Sequence, residues 1–269
     1  CILHPAASER RKGCVVYAVL PMFHAYGLTL CLTFAMSMGA RLVLFPKFDP
    51  ELVLDVVKKH PATFLPLVPP IADRLLAAAK AEFARVGLGG ARVDRIAEIA
   101  GANKRMLYYY FGNKDELFRA VLEATYEHIR ESEKALHLDE VDPPEAIRRL
   151  VTFTWNYYLD HPEFLSLLNS ENLHRAEHLK QSTKVRQMHS PFVAMLREIV
   201  ERGVHAGVFR SGVDAVQLYI SIAGLSYFYL ANNYTLSAIF GRDLKAKKAR
   251  EQRLAHMTEF VLGFLTQKD

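Results

Sequence analysis

Two eight-residue runs separated by a glycine constrain this chain more than any other feature of it. Val93-Asp94-Arg95-Ile96-Ala97-Glu98-Ile99-Ala100 and Lys104-Arg105-Met106-Leu107-Tyr108-Tyr109-Tyr110-Phe111 both have helical spacing, and Gly101 stands between them. A lone helix of this length is unstable in water, because nucleation costs more than so few hydrogen bonds return. Both runs therefore need a packing partner, and a tight glycine turn folds one against the other. Val93, Ile96, Ala97 and Ala100 share the inner face of the first run. Asn103 is placed to cap the second, where Leu107 and Phe111, four apart, face inward. Lys104, Arg105, Tyr108 and Tyr109 then fall on the outward side. Neighbouring helical residues point about 100° apart, so three consecutive tyrosines cannot all enter one core.

The flanks complete a small helical unit. Leu75, Leu76, Ala79 and Phe83 share one face of a preceding helix that Gly87, Gly89 and Gly90 end. Asn113 and Glu116 form an Asn-x-x-Glu capping box for a following one. Short helix, glycine turn, short helix is the arrangement that lays its second helix in the major groove of DNA, with N-terminal residues at base edges. Between Asn103 and Lys114 there are three cations and no acid, a set suited to phosphate oxygens. Bulk charge adds little. Lys and Arg number seven against four Asp and Glu in residues 1–70, nine against seven in 71–126 and eighteen against eighteen beyond, so the net +5 is not centred on the reader.

Texture changes at Ile71. Before it, Cys14–Leu20, Arg41–Phe45 and Thr63–Leu67 read as strands, with helical spacing over His24–Met38 and Pro50–His60. That is a parallel βαβαβ pattern, too thin to stand alone and hence a piece of something larger. Beyond it, helix follows helix, with breaks expected near Gly87–Gly90, Gly101, Gly112, Asp142–Pro144, His161–Pro162, Ser190–Pro191, Gly203–Gly212 and Asn232–Asn233. The fold class predicted is mainly α: a three-helix helix-turn-helix domain over 71–126 and a helical domain over 127–269, preceded by a partial α/β fragment over 1–70. Cys14–Ala40 is nearly free of charge, but Pro21, His24, Gly27 and Gly39 interrupt it, so no membrane association is expected. Cys1, Cys14 and Cys31 have neither metal-ligand nor disulfide spacing and suit a reducing cytoplasm. No secretory leader pattern is present.

The stretch from Leu75 to Leu117 resembles the TetR/AcrR family of transcription regulators. The family pattern is met at Leu75-Leu76-x-Ala78-Ala79, Phe83, Gly87, Ile96-Ala97, Ala100-Gly101, Leu107-Tyr108-Tyr109-Tyr110-Phe111 and Lys114-x-x-Leu117. The resemblance implies a DNA-contact set of Arg92, Asn103, Lys104, Arg105, Tyr108, Tyr109 and Lys114. In it Tyr108, Tyr109 and Lys114 meet phosphates, and Lys104 and Arg105 lie near bases. The family often opens its second helix with Thr or Ser; Ala91 and Arg92 stand there instead, with Arg92 a substitute for that contact. Tyr157–Phe164 and Glu171–His174 look like one subset of the family's ligand-binding domain. Trp155, Tyr158, Phe164, Asn172 and Tyr227 are the candidates for a small-molecule effector of unstated identity. Two late helices, Val213–Ala231 with Leu218, Ile222, Leu225 and Tyr229, and Lys247–Thr266 with Leu254, Met257, Val261, Phe264 and Leu265, are apolar beyond one face. That excess implies a homodimer reading a palindromic double-stranded operator, half-sites ~34–36 Å apart. The expected function is a repressor released by its effector, with no catalytic residue, cofactor or metal. His174-Arg175-Ala176-Glu177-His178 matches H-x-x-E-H but has no third ligand, and reads as a solvated face.

Residues 1–70 resemble a different family, the adenylate-forming enzymes such as acyl-CoA synthetases. Leu20-Pro21-Met22-Phe23-His24-Ala25-Tyr26-Gly27-Leu28-Thr29, Gly39-Ala40-Arg41-Leu42-Val43, Phe48-Asp49-Pro50 and Leu65–Pro70 carry that likeness. Its alternative function is an ATP-dependent carboxylate–CoA ligase. The family's phosphate-gripping loop, its ribose-binding Asp and its catalytic Lys find no counterpart here, so a non-catalytic piece is expected. Ile71–Lys80 suits either family, and a fusion within that shared helix disturbs neither pattern.

Overall fold

Val15–Ala18 (β1) pairs in parallel with Arg41–Leu44 (β2), Val15 opposite Arg41 and Ala18 opposite Leu44. The computed structural model describes residues 14–18, 28–45, 52, 55, 56, 59 and 70–266. Between the strands, a π-helical turn over Leu28–Thr33 runs into α1, Phe34–Met38, so the described part of the expected helix is helical but starts wide. Gly39 ends α1 in the left-handed region at φ 61° and turns the chain into β2. The third expected strand and the Leu20–Gly27 motif lie outside the described residues.

The chain divides into two compact units, one of Cys1–Ala78 and Arg92–Asn113, the other of Ala79–Ala91 and Lys114–Asp269. Helix α2, Pro70–Gly90, passes from the first into the second. Leu75, Ala79 and Phe83 are fully buried along it, as the spacing predicts. Gly87 breaks it at φ 70°, ψ 173°, a conformation open essentially to glycine alone. In the first unit α3, Val93–Ala100, and α4, Lys104–Phe111, pack on each other.

The second unit holds α5 (Lys114–Lys134), α6 (Pro143–Asp160), α7 (Pro162–Leu173), α8 (Glu177–Gln181), α9 (Thr183–His205), α10 (Ala215–Ala231), α11 (Asn233–Phe240) and α12 (Lys247–Thr266). Polar caps start three of them: Asp142, Ser182 and Asp214 accept from the backbone N–H of Glu145, Val185 and Gln217. One expected break is absent. Helix α9 runs straight through Pro191, because Phe192, Leu196, Ile199 and Val200 bury one face of it in the main core and outweigh the lost hydrogen bond. That core is shared by α6, α9, α10 and α12 around Trp155, Ile147, Leu196, Ile222 and Met257. Near the end of α9 the ring of Phe209 lies on Gly203, where an added Cβ would sit 2.0 Å from the ring carbon Cδ2. Gly203→Ala should therefore destabilise the unit by about 1–3 kcal/mol, although alanine favours helix by ~1 kcal/mol. Urea unfolding of the pair of proteins measures this.

The late helices divide their apolar residues differently from the expected stripes. Leu218, Ile222, Tyr229, Met257, Val261 and Leu265 are inside the unit's own core. Val216, Ile220, Phe228, Phe260 and Phe264 are exposed on the same helices, and Tyr234, Ile239 and Phe240 on α11 are more so, at 66–72%. Among the described residues, no helix is long and apolar enough to cross a membrane.

Candidate functional site

Local chemistry builds the α3–α4 turn. Gly101 caps α3 at φ 59°, its N–H and that of Ala102 donating to Glu98 and Ala97 in the double bond of a left-handed helix end. Asn103 Oδ1 then accepts from Arg105 N at 2.8 Å and starts α4. Met106 and Leu107 turn inward, with Phe111 half-buried. Tyr108 and Tyr109 are 46% and 51% exposed, while Tyr110 buries its hydroxyl with no hydrogen-bond partner among the described residues. Of the three consecutive tyrosines, two are thus free to meet a ligand.

The cations of this face are not alike. Lys104 pairs with Asp94 at 3.0 Å, joining the starts of α4 and α3, and that carboxylate raises the ammonium's pKa. Arg92 and Arg105 are exposed, with no ion pair to either among the described residues. Lys114 reaches backbone within the protein. Its Nζ donates to the carbonyl oxygens of Leu88 at 2.9 Å and Ala91 at 3.3 Å. It thereby satisfies acceptors left open where α2 ends, which makes it a brace.

The expected effector residues do not form one site. Tyr158, Phe164 and Tyr227 come together with Ile129 and Tyr157, and the rings of Tyr158 and Phe164 stack at 5.5 Å. Trp155 lies in the main core, edge-on to Tyr229, where it is packing rather than pocket. Asn172 is exposed and donates to its own helix at Leu168 O.

A buried polar group beside the first three was missed. Arg130 and Glu133 on α5 are 4% and 3% exposed. They approach within 2.9 Å as an ion pair. The Arg130 guanidinium lies 4.1 Å from the Phe192 ring centre, and one Nη donates to Tyr219 Oη at 3.3 Å. Its Nε and Nη1, Glu133 Oε2 and His189 Nδ1 have no hydrogen-bond partner among the described residues. The signal was available: Phe118, Leu122, Thr125 and Ile129 are buried on α5, and Glu133 continues that stripe as a charge where a core residue belongs.

Burial pushes the Glu133 carboxyl up to about 8, against the opposing pull of Arg130. Burial and the Arg130 charge push His189 down to about 4. Between pH 4 and 6.5 the folded chain holds less of a proton on His189 than the unfolded chain, so that residue's contribution rises with pH. Between 4.5 and 8 it holds more on Glu133, so that contribution falls. Above pH 6.5 only the fall remains, at most about 1.4 kcal/mol per pH unit. A melting temperature that declines from pH 6.5 to 8, and flattens in Glu133→Gln, is the expected record.

The H-x-x-E-H run is a solvated face only at Arg175 and Glu177, which are exposed. His178 is buried, and Glu171, 1% exposed, holds it. Glu171 Oε1 accepts from the backbone N–H of His178 and Leu179 at 3.0 and 2.9 Å, and Oε2 lies 2.7 Å from His178 Nδ1. Arg175 and Ala176 reach this turn with positive φ. His178 Nε2 stands 3.5 Å from Asp115 at the start of α5. No group of metal ligands occurs among the described residues.

Residues 143–261 match the family described as tetracyclin repressor-like, C-terminal domain. Residues 3–112 match the AMP-binding enzyme family. The chain is 40% identical over 190 residues to the HTH-type transcriptional repressor NicS of Pseudomonas putida, covering 71% of this chain and 90% of that one. It is 40% identical over 72 residues to 4-coumarate–CoA ligase 1 of Oryza sativa, but spans only 12% of that enzyme. Among solved structures it shares its fold with the ketosteroid transcriptional regulator KstR2 of Mycobacterium tuberculosis. That likeness has a TM-score of 0.55 at 20% identity, over 73% of this chain and 95% of the other. The fatty acid degradation regulator FadR of Bacillus halodurans is a second such structure, with a TM-score of 0.53 at 17% identity, over 72% and 99%.

Proposed function

The chain belongs to the TetR family of helix-turn-helix transcription regulators, and on that premise we propose that it is a repressor, released from its operator by a small molecule. The observation that carries this is the exposed face of α4, where Arg105, Tyr108 and Tyr109 stand on a helix whose inner face is filled by Met106 and Leu107. In this reading α4 lies in the major groove. Tyr108 and Tyr109 bond phosphates, Lys104 and Arg105 lie at base edges, Asn103 fixes the first turn, and Arg92 adds a phosphate contact. Residues 71–126 are the reader, 127–269 the effector and dimerisation domain, and 1–70 a non-catalytic remnant of a ligase.

Dimerisation follows from the outer faces of α10, α11 and α12. Phe228, Phe260, Tyr234 and Phe240 among them are large apolar side chains left 57–71% exposed, and a second copy is the partner that a two-fold operator requires. The test is retention of genomic duplex fragments by the purified protein, followed by sequencing. The expected result is a shared inverted repeat, retained less as salt rises. ATP-dependent acyl-adenylate formation by the same protein would favour the ligase reading instead.

A further inference from the structure

We propose that the effector is a small organic acid, with one carboxylate seated on Arg130 and an apolar body against Phe192, Met188 and Met195. The inference rests on the repressor reading above and names the chemical class of its ligand.

A pocket of about 340 Å³ opens between α5 and α9, with Arg130 and Glu133 among the residues that line it. Its volume suits a small ligand rather than a long chain. The walls contributed by Met188, Pro191, Phe192 and Met195 are apolar. At the rim Lys184 and Glu127 pair at 2.8 Å across the two helices. The floor is different in kind. Arg130 is held flat against Phe192 and fixed by Tyr219; its Nη1 lies 2.9 Å from Glu133 Oε2 without a formed hydrogen bond, and its Nε has no hydrogen-bond partner among the described residues. A buried guanidinium with an unfilled donor is costly to keep. Its planar fork fits the two oxygens of a carboxylate better than any neutral group.

Glu133 competes for the same cation. An incoming carboxylate shares Arg130 only when Glu133 carries a proton, which it then offers as a donor. Binding therefore takes up a growing fraction of a proton from solvent as the pH rises toward and past about 8. The groups that interact with Glu133 are Arg130 on its own helix, Tyr157 and Tyr158 from α6 and Tyr219 from α10, while His189 from α9 faces Arg130. The tyrosines are held neutral by burial and His189 is uncharged near pH 7, so Glu133 is the group of this set that changes charge between pH 6.5 and 8.

The test titrates the DNA-free protein with benzoate and with benzamide, its uncharged analogue, by calorimetry. Benzoate should bind at least tenfold tighter than benzamide, and its affinity should fall from pH 6.5 to 8 while the ligand's own charge stays constant. Glu133→Gln should abolish that pH dependence. Arg130→Gln should cost tenfold or more in benzoate affinity with circular dichroism unchanged. If that variant does not fold, Arg130→Lys, which keeps the charge and loses the fork, replaces it. Equal binding of benzoate and benzamide, no binding of either, or unchanged affinity in the arginine variant would overturn the proposal. Because the readout omits DNA, those results leave the repressor reading intact, whereas carboxylate binding with no retained operator would sink that reading alone.

Discussion

Replacing Tyr108 and Tyr109 together with alanine is expected to weaken operator binding by about 10²–10³-fold while barely changing the melting temperature. Both side chains are about half exposed, and surface substitutions of this kind move stability by roughly 0.5 kcal/mol or less. Each hydroxyl is expected to bond a phosphate, and hydrogen bonds to charged groups contribute about 1.5–3 kcal/mol. Two of them sum to about 3–6 kcal/mol, and the lower half of that range, as expected for neighbouring contacts that do not add fully, gives the fold-change. The loss should be the same on every duplex, since phosphates carry no sequence, and the salt slope should not move, since no cation is removed. Arg92→Ala should instead lower that slope by about 1 for each phosphate it neutralises. Lys114→Ala should act through stability: it strips the donor from the Leu88 and Ala91 carbonyls, costing about 1–3 kcal/mol. Fluorescence anisotropy across salt, beside thermal melts, separates the three. Unaltered affinity in the tyrosine variant would remove α4 from the interface.

The second large effect concerns Glu171. Truncating it to alanine should cost about 3–5 kcal/mol, because it leaves two backbone donors and the His178 ring without their acceptor inside the protein. In a unit of this size that is a fall of roughly 10 °C in melting temperature. Glu171→Gln keeps one oxygen for the two N–H groups and lets the imidazole change tautomer, so its cost should be near 1 kcal/mol. Equal melting temperatures for the alanine and glutamine variants would mean that the turn after α7 is held by something else.

What could be read from the sequence was local. Gly101, the Asn103 cap and the spacing of Ile96, Ala97 and Leu107 act within a dozen residues, and the α3–α4 turn follows from them. Long-range facts were hidden. Glu133 falls in register with the buried Phe118, Leu122, Thr125 and Ile129, but nothing local tells that Arg130 lies on Phe192 of α9 and reaches Tyr219 of α10. The bonds from Lys114 to the carbonyls of Leu88 and Ala91 join residues 26 and 23 apart and have no local signature. Pro191 reads as a break because a proline lacks an N–H, yet tertiary packing of α9 overrides that preference. Residue type could not separate Trp155 in a core from Tyr158 beside a polar cluster, since aromatic rings serve both.

Two copies of this chain should each lay α4 in one groove of a duplex. Hydroxyl-radical footprinting on the retained genomic fragment tests this most directly. Two protected patches on one face of the helix, ~34–36 Å apart, are predicted, both fading in the Tyr108→Ala, Tyr109→Ala protein. A footprint that this double replacement leaves untouched, or a chain that protects no duplex at all, would contradict it.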